Sequence, residues 1–284
     1  MTVRGRRCYN WVVDNRKNKR KLSYSDIDLD KWRDYDHFYT DTWWDLGPRA
    51  NTNGHKLDYH GNFVPQIPNI TFQRYTREGD IVVDWFLGSG TSAIEAVNLN
   101  RRLIGIDLKA SLVRSVKAKL PSEAVGHTIR LITGDSTSKP TKRKVQKALR
   151  DMDAEFAQLA ILHPPYGDII KFSDLDSDLS NRSSTEEFLD GFKLVAQNAY
   201  DTLDEGRFAV LVIGDKYANG ELIPLGFNCM QKMNDVGFKT KSIIVKSIEG
   251  NEKAKGKDGN LWRYRALAGG FYIFKHEYII VFFK

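Results

Sequence analysis

The chain has 284 residues and a formal net charge of +7, with 41% hydrophobic and 28% charged residues, the balance of a soluble α/β-sized globular protein. Its two cysteines, Cys8 and Cys229, are too few for a disulfide framework or a zinc site, so no metal is expected and a reducing, cytoplasmic setting fits. No apolar run approaches a membrane span and the basic N-terminus lacks a signal-peptide core, so the excess positive charge points away from membranes and toward a polyanionic partner.

Residues 1–60 read as a basic, aromatic-dotted arm. Arg4-Gly5-Arg6-Arg7 and Arg16-Lys17-Asn18-Lys19-Arg20-Lys21 carry charge suited to phosphates, and Trp32, Phe38, Tyr39, Trp43 and Trp44 offer flat faces. Size favours packing for Trp43 and Trp44. The segment 61–284 reads as the main domain. Phe63-Val64-Pro65-Gln66 leads into a helix-like stretch, Ile67 to Tyr75. From Gly79 onward strands and helices alternate as in a parallel sheet. Strands are predicted at Asp80–Phe86, Leu103–Leu108, Thr128–Thr133, Gln158–His163, Phe208–Ile213, Lys239–Lys246 and Tyr278–Phe283. Helices are predicted at Thr91–Leu99, Ser111–Leu120, Lys142–Asp151, Thr185–Leu203 and Leu225–Val236. The expected fold is α/β: a doubly wound, mostly parallel seven-stranded sheet.

In such sheets ligands bind beyond the carboxyl ends of the strands. Four ends carry polar residues here: Asp84, Asp107, Asp135 and His163. Asp84-Trp85-Phe86-Leu87-Gly88-Ser89-Gly90-Thr91 is a strand-to-helix turn, where glycines allow a sharp bend and close approach to the main chain. Asp107 ends the next strand about twenty residues on, the place for a carboxylate that accepts ribose hydroxyls. Asp135 suits the adenine edge by the same logic. His163-Pro164-Pro165-Tyr166 ends the fourth predicted strand. Adjacent prolines stiffen the backbone and remove two amide donors, leaving acceptors and an aromatic ring suited to a flat base bearing an exocyclic amine.

Together these stretches resemble the amino-group DNA methyltransferases that act on adenine N6 or cytosine N4. Their S-adenosylmethionine loop has the form Asp-Pro-Phe-x-Gly-Ser-Gly-Thr, and their catalytic motif is (Asp/Asn/Ser)-Pro-Pro-(Tyr/Phe/Trp). The resemblance covers roughly residues 55–284 and implies a Rossmann-like methyltransferase sheet with a reversed last strand. It implies S-adenosyl-L-methionine bound by Phe63, Pro65, Asp84, Phe86, Gly88, Ser89, Gly90, Thr91, Asp107 and Asp135. His163, Pro164, Pro165 and Tyr166 would be the catalytic residues. Trp85 stands for the usual proline, and His163 for Asp, Asn or Ser. A neutral imidazole still accepts one hydrogen bond, a capacity that an unperturbed histidine loses below about pH 6.5.

The implied reaction is direct displacement by a base amine, adenine N6 ahead of cytosine N4. Cytosine C5 chemistry needs a cysteine nucleophile, and neither Cys8 nor Cys229 has the Pro-Cys context. Candidate recognition loops are 167–184, with Lys171 and Arg182, and 248–274, with Lys253, Lys255, Lys257, Trp262, Arg263 and Arg265. The expected partner is DNA, with RNA the alternative polymer, and a homodimer or a separate specificity subunit would enlarge a small recognition surface. Rival readings are an RNA amino-group methyltransferase and a non-catalytic nucleic-acid-binding subunit of the same fold. A dinucleotide dehydrogenase fits less well, since the turn lacks the third glycine.

Overall fold

The computed structural model describes residues 22–36, 38–50, 55, 62–218, 220–248 and 259–284. After a 3-10 segment at Leu29–Tyr35 come β1 (Trp43–Trp44) and α1 (Gln66–Tyr75). The regular alternation then runs β2 (Ile81–Asp84), α2 (Thr91–Asn98), β3 (Arg102–Asp107), α3 (Ala110–Lys119), β4 (Ile129–Thr133), α4 (Lys139–Arg150), β5 (Ala157–Leu162), α5 (Thr185–Thr202) and β6 (Leu203–Ile213). A small antiparallel ribbon, β7 (Lys216–Ala218) with β8 (Glu221–Ile223), precedes α6 (Leu225–Asp235) and β9 (Lys239–Ser247). The chain closes with α7 (Gly259–Gly269) and β10 (His276–Phe283).

The main sheet has the order β1-β9-β10-β6-β5-β2-β3-β4. β10 runs antiparallel to both its neighbours, and the other pairings are parallel, so the reversed last strand is as expected. The sheet has eight strands rather than seven. The addition is β1, whose Trp43 and Trp44 lie in register with Val245 and Lys246 of β9. A two-residue strand has no periodicity to read, so only the partner edge reveals it.

Burial on both faces explains why the central strands are nearly all apolar. Ile81 and Val83 of β2 face a core shared with α4, α5 and α6, while Val82 faces one shared with α1 and the helices beyond it. α4 begins three residues earlier than its apolar pattern suggests. Ser138 caps it, its hydroxyl accepting from the Thr141 N–H at 3.2 Å, and Pro140 fits the first turn. Ser184 caps α5 in the same way through the Glu187 N–H at 3.1 Å.

The arm from residue 22 onward packs on the sheet. The Ser25 hydroxyl donates to Gln73 O at 2.8 Å, Arg101 pairs with Asp26 at 3.0 Å, and the Tyr24 ring meets Phe208 edge-on. The basic runs Arg4–Arg7 and Arg16–Lys21 lie outside the described residues. The two tryptophans split. Trp44 is buried at 2% exposure, and Trp43, pointing the other way from the strand, is 57% exposed. Trp44→Ala should therefore cost about 3–5 kcal/mol of unfolding free energy, and Trp43→Ala about 0.5 kcal/mol or less. Urea titration of the two variants checks the pair.

Candidate active site

The order of crossovers reverses at β2, with β3 and β4 on one side and β5 and β6 on the other. At that switch point the carboxyl ends of β2, β3, β4 and β5 surround a cleft enclosing about 880 Å³, open solvent included. The glycine turn and the Pro-Pro corner wall the same cleft: Phe86, Gly88 and Thr91 on one side, His163, Pro164 and Pro165 on another.

The turn after β2 is built by Asp84. Its carboxylate is buried, accepts the Phe86 N–H at 2.9 Å and takes a hydrogen bond from the Ser92 hydroxyl. Burial pushes this carboxyl up to about 6, against the lowering effect of those hydrogen bonds. Gly90 has φ of +88°, and a Cβ there would meet Val116 Cγ1 at 2.6 Å, so the turn lies tight against α3. Asp84, Ser89, Gly90 and Pro65 stand behind the cleft wall rather than in it. They shape the turn and the start of α1.

Asp107 and Asp135 line the cleft. Asp107 Oδ2 accepts the Gly88 N–H at 2.9 Å and Oδ1 the Lys109 N–H at 2.8 Å. Burial raises this carboxyl above its ordinary range despite both bonds. Each oxygen keeps a further acceptor direction. Asp135 holds its own loop, accepting the Thr137 N–H and hydroxyl, both at 2.8 Å. Phe63 lines the cleft and its ring meets His163 at a tilt of 48°, with centroids 5.0 Å apart.

Sequence reasoning missed what clamps Phe63. Arg49 donates to Phe63 O at 2.8 Å and to Thr91 Oγ1 at 3.4 Å, and Asn62 donates to the Ser89 hydroxyl. A lone arginine and asparagine in a polar stretch carry no periodic signal. The segment 167–184 also differs from a free recognition loop. Phe172, Asp178 and Leu179 form a wall of the cleft, and Lys109 Nζ donates to Phe172 O at 2.9 Å. Lys171 is exposed and paired with Asp174 at 2.7 Å, and Arg182 lies half-buried beside α5.

The second candidate loop contains α7. Arg263 and Arg265 are exposed on it, with the Arg265 guanidinium 5.2 Å above the half-buried Trp262 ring. Lys253, Lys255 and Lys257 lie outside the described residues.

The Pro-Pro corner departs most from expectation. Tyr166 does not line the cleft: its ring covers Gly214, where a Cβ would lie 3.0 Å from Cε2, and its hydroxyl donates to Glu277 Oε2 at 2.7 Å. Glu277 Oε1 in turn meets Lys246 Nζ at 2.9 Å. Burial would raise the Glu277 carboxyl, but the Lys246 ammonium and the hydrogen bonds it receives hold it below the ordinary range. Burial and Glu277 together push the Tyr166 phenol up. Burial drives His163 down to about 4, outweighing the opposing pull of Glu277. The imidazole thus stays neutral far below the 6.5 of a free histidine. Glu277 gave only a faint signal at the start of the apolar run of β10, and Lys246 gave none, being one of three lysines in a largely polar β9.

The reversed strand beside β6, the glycine turn ending β2 and the cleft at the switch point define the class, a Rossmann-like methyltransferase fold. Residues 7–118 match the model of the N6 and N4 DNA methylase family. It is 36% identical over 67 residues to the type II methyltransferase M2.DpnII of Streptococcus pneumoniae, covering 22% of this chain and 25% of that one. It is 38% identical over 50 residues to M.MjaII of Methanocaldococcus jannaschii, covering 18% of this chain and 9% of the relative. The matched stretches thus span a quarter or less of those relatives' length. Among solved structures the [4+2]-cyclase SpnF shares the fold with a TM-score of 0.50 at 13% identity, covering 84% of this chain and 89% of that one.

The buried Asp84 yields a pH test. Its folded pKa of about 6 lies above the ordinary 3.8, so the folded state holds this proton more tightly than the unfolded chain. That contribution is present below about pH 4 and is lost as pH rises through 6. Asp84→Asn, whose side chain still accepts from Phe86 N–H and donates to Ser92, should be more stable than wild type at pH 8 by up to about 3 kcal/mol. The advantage should vanish near pH 4 in urea unfolding.

Proposed function

We propose that the chain transfers a methyl group from S-adenosylmethionine to an exocyclic amine of a DNA base, adenine N6 ahead of cytosine N4. The observation that carries this is the shared cleft, with Asp107 in one wall and His163 in another.

The residues present fit the cofactor. In Asp107, two acceptor directions remain after Gly88 and Lys109 are served, matching a ribose diol. Asp135 sits on the far side for the adenine, and Phe63 and the Gly88 turn flank the space between. When bound, S-adenosylmethionine supplies a sulfonium methyl that a base amine takes, the sulfur keeping the bonding pair and the nitrogen shedding one proton. The chain's own contribution is placement. Pro164 and Pro165 keep amide donors away from the amine, so the corner presents acceptors only. His163, neutral at working pH, accepts an amine hydrogen and turns the nitrogen lone pair away from the ring plane. Tyr166 backs the histidine rather than offering a free face for stacking.

For target recognition, the exposed face of α7 with Arg263 and Arg265, at the end of the sheet where β10 begins, supports phosphate contact. Labelled methyl incorporation into unmethylated DNA and into total RNA, followed by nucleoside chromatography, tests the reading. N6-methyladenine or N4-methylcytosine in DNA is expected, while label confined to RNA, or none, overturns it. Asp107→Ala should weaken S-adenosylmethionine binding about 10–100-fold by calorimetry.

A further inference from the structure

The methyl-transfer reading leaves one question open, namely which nitrogen of His163 receives the amine hydrogen. Three distances bear on it. Lys246 Nζ lies 2.9 Å from Glu277 Oε1, Tyr166 Oη donates to Glu277 Oε2 at 2.7 Å, and His163 Nε2 lies 3.4 Å from Tyr166 Oη. Lys246 and Glu277 are 7% and 8% exposed and sit opposite one another in the β9–β10 register, so neither is free to turn to solvent.

An ammonium has only hydrogens to give, and a carboxylate can only accept. The single proton of Tyr166 is therefore committed to Glu277, and its oxygen faces Nε2 with a lone pair. A second lone pair on Nε2 would repel it, so the ring hydrogen belongs on Nε2. A neutral imidazole has one such hydrogen, and the other nitrogen is then a bare acceptor. Nδ1 has no hydrogen-bond partner among the described residues, and the ring forms part of the cleft wall. Nδ1 is bonded to Cγ, as Oδ1 is in the Asp or Asn of the usual motif, so the acceptor stands at the same bond count from the backbone.

We infer that Lys246, Glu277 and Tyr166 form a relay of hydrogen-bond direction that fixes His163 as the Nε2–H tautomer and so makes Nδ1 the acceptor for the target amine. Glu277 and Lys246 are positioning residues in this scheme, acting through Tyr166 on His163. The inference rests on the transferase reading for its purpose but not for its geometry. The contact of 3.4 Å is long, as such bonds often are before substrate arrives.

Glu277→Gln tests it sharply. Lys246 still has only donors, so the new amide must turn its oxygen to Lys246 and its NH2 to Tyr166. Tyr166 then gives its proton to His163 Nε2, the ring hydrogen moves to Nδ1, and an acceptor becomes a donor aimed at the amine.

Long-range proton–nitrogen NMR of isotope-labelled histidine, with the His163 signal assigned by its loss in His163→Asn, should show Nε2–H in the wild type and Nδ1–H in Glu277→Gln. The same variant should lose roughly a hundredfold in kcat, measured well below its lowered thermal midpoint, with S-adenosylmethionine affinity close to wild type. In a His163→Asn background, where the acceptor is an amide oxygen with no tautomer to set, Glu277→Gln should cost about threefold or less. An Nδ1–H wild type, a tautomer unmoved by Glu277→Gln, or an equal kcat loss in the His163→Asn background overturns the inference. A tautomer that flips between wild type and Glu277→Gln, in a protein whose wild type is inert on every polymer, upholds the relay and sinks the transferase reading.

Discussion

The carboxylate of Asp107 ties two strand ends together. By accepting the Gly88 and Lys109 amides it fastens the turn after β2 to the start of α3, and that joint sets the near wall of the cleft. The tight approach of Gly90 to Val116 depends on the same joint, since a turn that swung outward would leave the helix. Placing a half-buried anion there costs desolvation, visible in its raised proton affinity. Two charge-assisted bonds from the backbone offset part of that cost. A pocket built this way is stiff before any ligand arrives.

The opposite wall is held by a different device. β10 runs against every other strand, so its first residues, not its last, reach the sheet end where the cleft opens. That reversal delivers Glu277 to the back of Tyr166 and lets Lys246, at the far end of β9, neutralise it. A buried ion pair of this kind is weak evidence for stability, because desolvation consumes most of its Coulomb gain. Its value here is directional: it decides where one phenolic proton points.

Most of the fold could be read from the chain because burial on both faces leaves long β-branched runs, as in Ile81-Val82-Val83, separated by helices with clean apolar stripes. The cleft was legible in part for the same reason. Strand ends are where polar residues must appear, and Gly88, Asp107 and His163 stood out against apolar strands. What stayed hidden was everything set by tertiary contact. The edge strand β1 exists only through its pairing with β9, and Arg49 acts only through the carbonyl it reaches. The ring of Tyr166 looked free to meet a base, whereas Gly214 and Glu277, distant in sequence, draw it inward. The low proton affinity of His163 was equally invisible, since burial rather than a sequence neighbour produces it.

The pairing of β9 with β10 also constrains how this protein can diversify. Everything between Ser247 and His276 is one insertion hung from two adjacent strands, and its two roots lie one residue beyond Lys246 and Glu277. Such an insert can be exchanged for another of different length without disturbing the sheet, provided the strands resume in the same phase. A slip of a single position would turn the acid to the opposite face of the ribbon. Changes in what the insert touches and changes in how the Pro-Pro corner is wired therefore meet at one joint.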